Sequence, residues 1–193
     1  YSMEQRRVED WITSYMEFTD NTEPSPLFRK WSAVSGIASA LQRKCWLPWG
    51  RYTFYPNFYI FLVGPPGRAK KSTAMEGIVN FMEREEMEIS FAAESTSREG
   101  LIKALVRSKK DYIDEDGRLV PHSSLTVLNS EIKVFLGHNN LQMLDDLTDW
   151  YDCKRHWTYE TKNMGTDALG PIWVNILGAI TPAGIRASLP IEA

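Results

Sequence analysis

Phe61-Leu62-Val63-Gly64-Pro65-Pro66-Gly67-Arg68-Ala69-Lys70-Lys71-Ser72-Thr73 is the stretch that decides the fold. An unalternating apolar run, residues 58–63, enters a Gly/Pro-rich loop and leaves it through Lys-Ser-Thr into a helical pattern. Such a run suits a strand buried on both faces of a parallel sheet. Strand, glycine-rich loop and helix in that order are the context of a phosphate-binding loop, in which backbone N–H groups and a helix N-terminus cradle an anion. The residues expected around the anion are Gly64, Pro65, Pro66, Gly67, Arg68, Ala69, Lys70, Lys71, Ser72 and Thr73. Lys71 is assigned to the β- and γ-phosphates of ATP as a point charge, and Ser72 to Mg²⁺ through its hydroxyl. The usual motif, G-x-x-x-x-G-K-[ST], is one residue shorter, and here Lys70 stands in place of its second glycine. Taking Lys70 as the motif lysine restores the interval but puts Lys71 where a hydroxyl is needed, so Lys71-Ser72 is the preferred register.

Working outward from the loop, two helices are expected upstream. Val8, Trp11, Ile12 and Tyr15 recur at helical spacing, with Glu4, Arg6, Arg7, Glu9 and Asp10 on the wet face. A breaker-rich turn, residues 20–26, closes on Ser25-Pro26, an N-cap followed by a first-turn proline. Leu27, Trp31, Val34, Ala38 and Leu41 form the next apolar stripe. This pair reads either as a lid or docking module or as cover for a sheet edge. Short strands over 45–47 and 52–54 follow, and beyond the loop helices and strands alternate. One helix carries Met75, Ile78, Val79 and Met82, and a strand is expected over 89–93. The next helix, opened by Ser97, carries Leu101, Ile102 and Leu105. Residues 112–120 form a hairpin around Asp116-Gly117. Strand 125–128 precedes a helix bearing Leu141, Leu144, Leu147 and Tyr151, and a polar ribbon, 156–165, leads into strand 172–180. The alternation predicts an α/β three-layer P-loop fold with a mainly parallel sheet, preceded by two N-terminal helices. The division is a helical region over 1–44 and a core over 45–193.

An ATP-hydrolysing site also needs a carboxylate at the end of a neighbouring strand. Thr126-Val127-Leu128-Asn129-Ser130-Glu131 offers Glu131, as catalytic group and as a ligand on the metal side, with Ser130 where an Asp would assist Mg²⁺. Ile89-Ser90-Phe91-Ala92-Ala93-Glu94 offers Glu94, and Glu131 is preferred. Thr181, ending the strand before Pro182, fits a position that touches the γ-phosphate or the attacking water, and it also fits a helix cap. Asn175, in mid-strand, reads as structural.

The 193 residues carry 22 Lys+Arg and 25 Asp+Glu, a net charge of −3, with 43% hydrophobic residues. This suits one globular domain and excludes a disordered chain or a globally basic nucleic-acid binder; any contact with nucleic acid has to come from a local patch. Cys45 and Cys153 stand far apart, as suits a reducing cytoplasm, and His122, His138 and His156 lack zinc-ligand spacing. Asp145, Asp146, Asp149 and Asp152 read as the wet side of one helix rather than a metal cluster. The longest apolar run is far short of the roughly 20 residues of a membrane span. No basic-then-apolar signal opens the chain, and a cytoplasmic protein is expected, in the host cell if viral.

Pro56-Asn57, the Gly-Pro-Pro-Gly…Lys-Lys-Ser-Thr loop, Glu94-Ser95-Thr96-Ser97-Arg98-Glu99-Gly100-Leu101, Ser130-Glu131 and Ala179-Ile180-Thr181-Pro182 occur in that order. Together, over roughly residues 27–190, they resemble the P-loop ATPase domain of phage and mobile-element replication proteins, a group similar to primase-associated helicases of the RecA/AAA+ type. The resemblance implies an oligomeric, ring-forming ATPase that couples hydrolysis to movement on DNA, single-stranded DNA in particular. In such a domain a last core strand and a second sensor would follow, so the chain reads as the front portion of a longer protein. An arginine finger acting in trans would come from Arg155 or Arg186. DNA contacts would come from Arg107-Ser108-Lys109-Lys110 and the following hairpin, or from Lys154-Arg155-His156-Trp157 and Lys162, with Trp157 and Tyr159 as stacking rings. Two other readings stay open. One is an ATP-gated DNA clamp, loader or packaging partner with little or no hydrolysis. The other is a small-molecule or nucleotide kinase, for which the sequence lacks an Arg-rich lid.

Overall fold

A computed structural model of the protein describes residues 8–94, 96–114, 116–137, 140–161 and 165–188. The expectations for Glu4, Arg6, Arg7, Ser95, His138 and Lys162 lie outside the described residues. In chain order, α1 (Trp11–Phe18) and α2 (Pro26–Leu41) lead to a hairpin of β1 (Leu47–Trp49) and β2 (Tyr52–Phe54). β3 (Tyr59–Val63) and α3 (Lys71–Met82) flank the Gly/Pro loop. α4 (Arg98–Arg107), β4 (Lys109–Ile113), β5 (Leu119–Asn129), α5 (Ile132–Leu136) and α6 (Leu141–Tyr151) follow. A second hairpin, β6 (Trp157–Thr161) and β7 (Gly165–Leu169), precedes β8 (Ile172–Ile180) and α7 (Pro182–Ser188).

The central sheet is mixed and mostly parallel, in the order β3-β8-β5-β4, with β4 antiparallel to β5. All nine residues of β8 are buried. Their side chains alternate between two cores, as a strand's period of two requires. Ile172, Val174, Ile176 and Ile180 pack with residues of α4, α5 and α6, while Leu177 and Ala179 pack with Tyr15, Ala33 and the buried face of α3. Helices therefore cover both faces of the sheet. Gly178 permits the close approach of α5, since a Cβ there would stand 2.8 Å from Ile132.

Local chemistry starts and ties the helices. Asp10 accepts the N–H groups of Ile12 and Thr13 at the head of α1. Ser25 Oγ accepts from Phe28 N–H ahead of Pro26, and Ser97 Oγ accepts from Gly100 N–H to open α4. Buried Arg29 on α2 donates to Met16 O at 2.9 Å and to Asp20 at 3.1 Å, stapling α2 to α1. The Asp-Gly turn closes the β4–β5 hairpin with Gly117 at φ +76°.

Several expectations need correction. β3 lies at the sheet's edge, so it is not buried on both faces: Phe61 and Val63 are exposed. The expected strand over 89–93 is one parallel bridge, Phe91 to Thr126, with Thr126 N–H donating to Ser90 O and Ala92 N–H to Thr126 O. The apolar stripe of α2 mostly faces outward: Leu27, Trp31 and Leu41 are exposed and Ala38 is buried. The buried face is built of small residues, Ser32, Ala33, Ser35, Gly36 and Ser39, because the sheet beneath presents amide and hydroxyl groups. Asn175, fully buried, donates to Ser35 Oγ at 2.9 Å and Ser39 Oγ at 3.1 Å and accepts from Phe58 N–H at 2.9 Å. It is structural, as expected. Asp146 is not on the wet side of α6 but buried, accepting two hydrogen bonds from Arg98 at 2.6 and 3.0 Å. That bidentate contact raises the Arg98 pKa. Both cysteines are free. Among the described residues no helix is long and apolar enough to cross a membrane.

Candidate functional site

The loop between β3 and α3 sits at the end of the sheet where β8 finishes. Gly64 N–H donates to Ile180 O at 3.2 Å, fixing the loop's first residue to the last residue of β8. The loop then folds tightly: a Cβ on Gly64 would stand 2.6 Å from Ala69 Cβ, and Gly67 takes φ +70°. Lys70 takes φ +49° in the left-handed region and is the residue from which α3 starts. A side chain in that conformation costs about 1–2 kcal/mol, so glycine is the residue that fits best there. A positive φ at Lys70 is consistent with the expected register, in which Lys70 stands where the motif has glycine. Lys70 Nζ pairs with Glu23 at 2.7 Å, both side chains being well exposed, and such pairs stabilise little. Lys71 opens α3, and its Nζ donates back to Gly64 O at 2.8 Å and Pro65 O at 3.2 Å. Among the described residues it makes no ion pair with a carboxylate, and its partners are these two loop carbonyls.

Two other strand-ends meet this loop. Pro66, Gly67, Lys70, Lys71, Ser72 and Thr73 line a pocket of about 230 Å³ together with Ser130 and Glu131, just past β5, and Thr181, just past β8. Of the ten loop residues expected around an anion, Gly64, Pro65, Arg68 and Ala69 shape the loop without lining that pocket. Glu131 precedes α5 but makes no side-chain cap, which leaves its carboxylate to the pocket. Thr181 makes the helix cap expected of it and also lines the pocket. Its hydroxyl oxygen accepts Gly184 N–H at 3.0 Å and so caps α7. The hydroxyl keeps its own proton to donate.

Glu94 lies elsewhere. It lines a neighbouring pocket of about 340 Å³, formed by the outer side of α3 (Ser72, Met75, Glu76, Val79, Asn80, Glu83), by Phe91 and Ala92, and by the end of β5. The two pockets share Ser72 and Ser130. Asn129, not singled out by sequence reasoning, joins them: its amide nitrogen donates to Glu94 O, and its Oδ1 accepts Glu131 N–H at 2.8 Å. An Asn at the last position of an apolar strand, two residues before the candidate Glu, was the available signal.

The remaining candidates lie away from the loop. Asn57 ties to Tyr151 O at 2.9 Å. Trp157 packs edge-on to Trp150 and stacked with Tyr159, with Arg98 over the Tyr159 ring, so the two rings proposed for base stacking are occupied internally. Lys154 pairs with Asp149 at 2.6 Å. Arg186 is exposed on α7, and Arg155 is exposed near the start of β8. At that same end, buried Arg43 donates to Cys153 O and Ile172 O, both at 2.8 Å, and to Tyr55 Oη at 2.7 Å, with no carboxylate among these partners. Burial lowers its pKa. Burial likewise pushes the Cys153 thiol up to about 12 and, with the cations of Lys44, Arg43 and Lys110, pushes His122 down to about 4. Among the described residues no group of three or more His, Cys, Asp or Glu could hold a metal ion. Compared with protein-family models and with curated proteins, the chain matches none.

Proposed function

We propose that the chain is an ATP-binding and hydrolysing domain with a three-layer P-loop fold, the motor part of a viral or mobile-element DNA replication protein of the helicase or translocase kind. The observation that carries this reading is the convergence of Lys71, Ser72, Glu131 and Thr181, from three separate strand-ends, on one pocket at the mouth of a loop whose lysine has no carboxylate partner among the described residues. The order of the sheet supports it, because β8 lies between β3 and β5 and thereby sets Thr181 between the loop and Glu131. The motor, the DNA and a homo-oligomeric ring come from the family resemblance.

In this reading Lys71 exchanges two loop carbonyls for phosphate oxygens, a stronger charge-assisted contact. Ser72 and Glu131 supply hard oxygen donors that fit Mg²⁺, which binds few protein ligands and keeps its waters; when bound, the ion would neutralise phosphate charge. Glu131 orients the attacking water in line with the γ-phosphate, and Thr181 donates its hydroxyl proton towards the same region. Asn129 fixes the main chain at Glu131 and so its aim. The test is ATP turnover with and without single-stranded DNA for the wild type, Lys71→Ala, Lys70→Ala and Glu131→Gln. DNA-stimulated turnover that survives Lys70→Ala and is lost in the other two variants is expected; loss in Lys70→Ala alone would overturn the register.

A second reading, phosphoryl transfer to a small acceptor, is favoured by one observation: the 340 Å³ pocket beside the loop shares Ser72 and Ser130 with it and would hold an acceptor within reach. ATP consumption that depends on an added nucleoside or sugar, and not on DNA, would select it.

A further inference from the structure

The β1–β2 hairpin turns an aromatic face to solvent. Its register sets Leu47 opposite Phe54 and Trp49 opposite Tyr52. Residues two apart on a strand, and residues directly opposite across a pair, share a face. Leu47, Trp49, Tyr52 and Phe54 therefore stand together, each more than half exposed, Trp49 at 69%. A two-stranded hairpin is marginal in water by itself. This one is held at its base by Arg43, which lies 3.9 Å over the Tyr55 ring and ties it to the start of β8. An apolar face held away from the core in this way marks an interaction surface.

The partner's chemistry follows from charge. From Arg43 to Phe61, the stretch that contains the hairpin, the sequence holds Arg43, Lys44 and Arg51 and no Asp or Glu, in a chain whose net charge is −3. Lys44 and Arg51 are exposed on either side of β1, and the Arg51 guanidinium lies 5.0 Å from the Tyr52 ring centroid. Lys44 and Lys110, opposed by Asp111, act on the same buried imidazole, His122, and Arg155 acts on Arg43, so cations outnumber carboxylates around these two groups. A second copy of the hairpin would set like charges against each other, whereas a polyanion carrying flat rings satisfies both the charge and the exposed faces. The Tyr52 and Phe54 ring centroids are 6.4 Å apart, with the rings tilted by 36°.

We propose that the outward face of the β1–β2 hairpin binds single-stranded nucleic acid, with Trp49, Tyr52 and Phe54 stacking on bases and Lys44 and Arg51 contacting phosphates. This deepens the nucleic-acid half of the function proposed above. It places that strand at the Ile172 end of the sheet, with the phosphate loop at the Ile180 end.

The test is a fluorescence-anisotropy titration of the whole chain with a labelled oligodeoxythymidylate of about 16 nucleotides, without nucleotide or Mg²⁺. The wild type is expected to bind. Trp49→Ala and Tyr52→Ala should each weaken binding about fivefold or more, with unfolding midpoints unchanged because both side chains are exposed. Lys44→Ala and Arg51→Ala should flatten the dependence on salt between about 0.05 and 0.2 M. Failure of the wild type to bind, or unchanged affinity in both aromatic variants, would overturn the proposal. So would these same variants abolishing sedimentation with phosphatidylserine vesicles, or dissolving a dimer, instead of oligonucleotide binding. Because ATP is absent, a protein that binds the oligonucleotide but never turns over ATP sinks the motor reading alone. DNA-stimulated turnover that Trp49→Ala and Tyr52→Ala leave intact sinks only the hairpin.

Discussion

Lys70 is the residue at which local strain and the proposed chemistry meet. In the left-handed region its side chain costs about 1–2 kcal/mol, and its exposed pair with Glu23 returns at most about 1 kcal/mol. Lys70→Gly relieves the strain but adds backbone entropy to the unfolded chain, roughly 0.5–1 kcal/mol. The net change is therefore expected to lie within about 1 kcal/mol of wild type by denaturant unfolding. Lys70→Val, β-branched at a positive φ, should be the less stable of the two substitutions. His122 makes a prediction in pH. Its folded pKa lies near 4 against an ordinary 6.5, so between those values the unfolded chain binds more protons. Stability should then fall as pH drops through that window, by about 3 kcal/mol in full. Unfolding curves from pH 7 to pH 4 would show it, and His122→Gln should remove most of that slope.

Among the elements, α2 and the β1–β2 hairpin depart furthest from their sequence patterns. Leu27, Trp31 and Leu41 suggest a buried apolar stripe, yet the buried face is Ser32, Ala33, Ser35, Gly36 and Ser39. That choice depends on Asn175, about 140 residues away in sequence, and no pattern within α2 reveals what the sheet presents to it. Gly36 is the tightest point: a Cβ would lie 2.5 Å from the buried Ile78 side chain. Gly36→Val is expected to destabilise by about 1–3 kcal/mol through overpacking, read as a lower urea midpoint with an unchanged m-value. Arg43 joins α2's end to β8 and to Tyr55. Arg43→Met would leave the Cys153 and Ile172 carbonyls without their donor, and a loss of about 3 kcal/mol is expected by the same measurement. By contrast, the caps at Ser25 and Ser97, the Asp-Gly turn and the run of β8 were legible, because each rests on a few neighbouring residues.

Over the whole molecule, the legible part of the candidate site was the part carried by contiguous residues: the loop, Lys71-Ser72, Glu131 and Thr181. What sequence could not show was adjacency. That β8 lies between β3 and β5, that Glu94 faces a second pocket, and that Asn129 bridges the two pockets all depend on strand order. The loop pocket lies at the Ile180 end of β8 and the aromatic hairpin is tied to its Ile172 end. The central claim is that the pocket of Lys71, Ser72, Ser130, Glu131 and Thr181 is a Mg-ATP site. Calorimetric titration of Mg-ATP into the wild type and Lys71→Ala tests it most directly. One nucleotide bound per chain, with affinity at least about tenfold weaker in Lys71→Ala, is the result predicted. No binding to the wild type, or equal affinity in the two proteins, would contradict it.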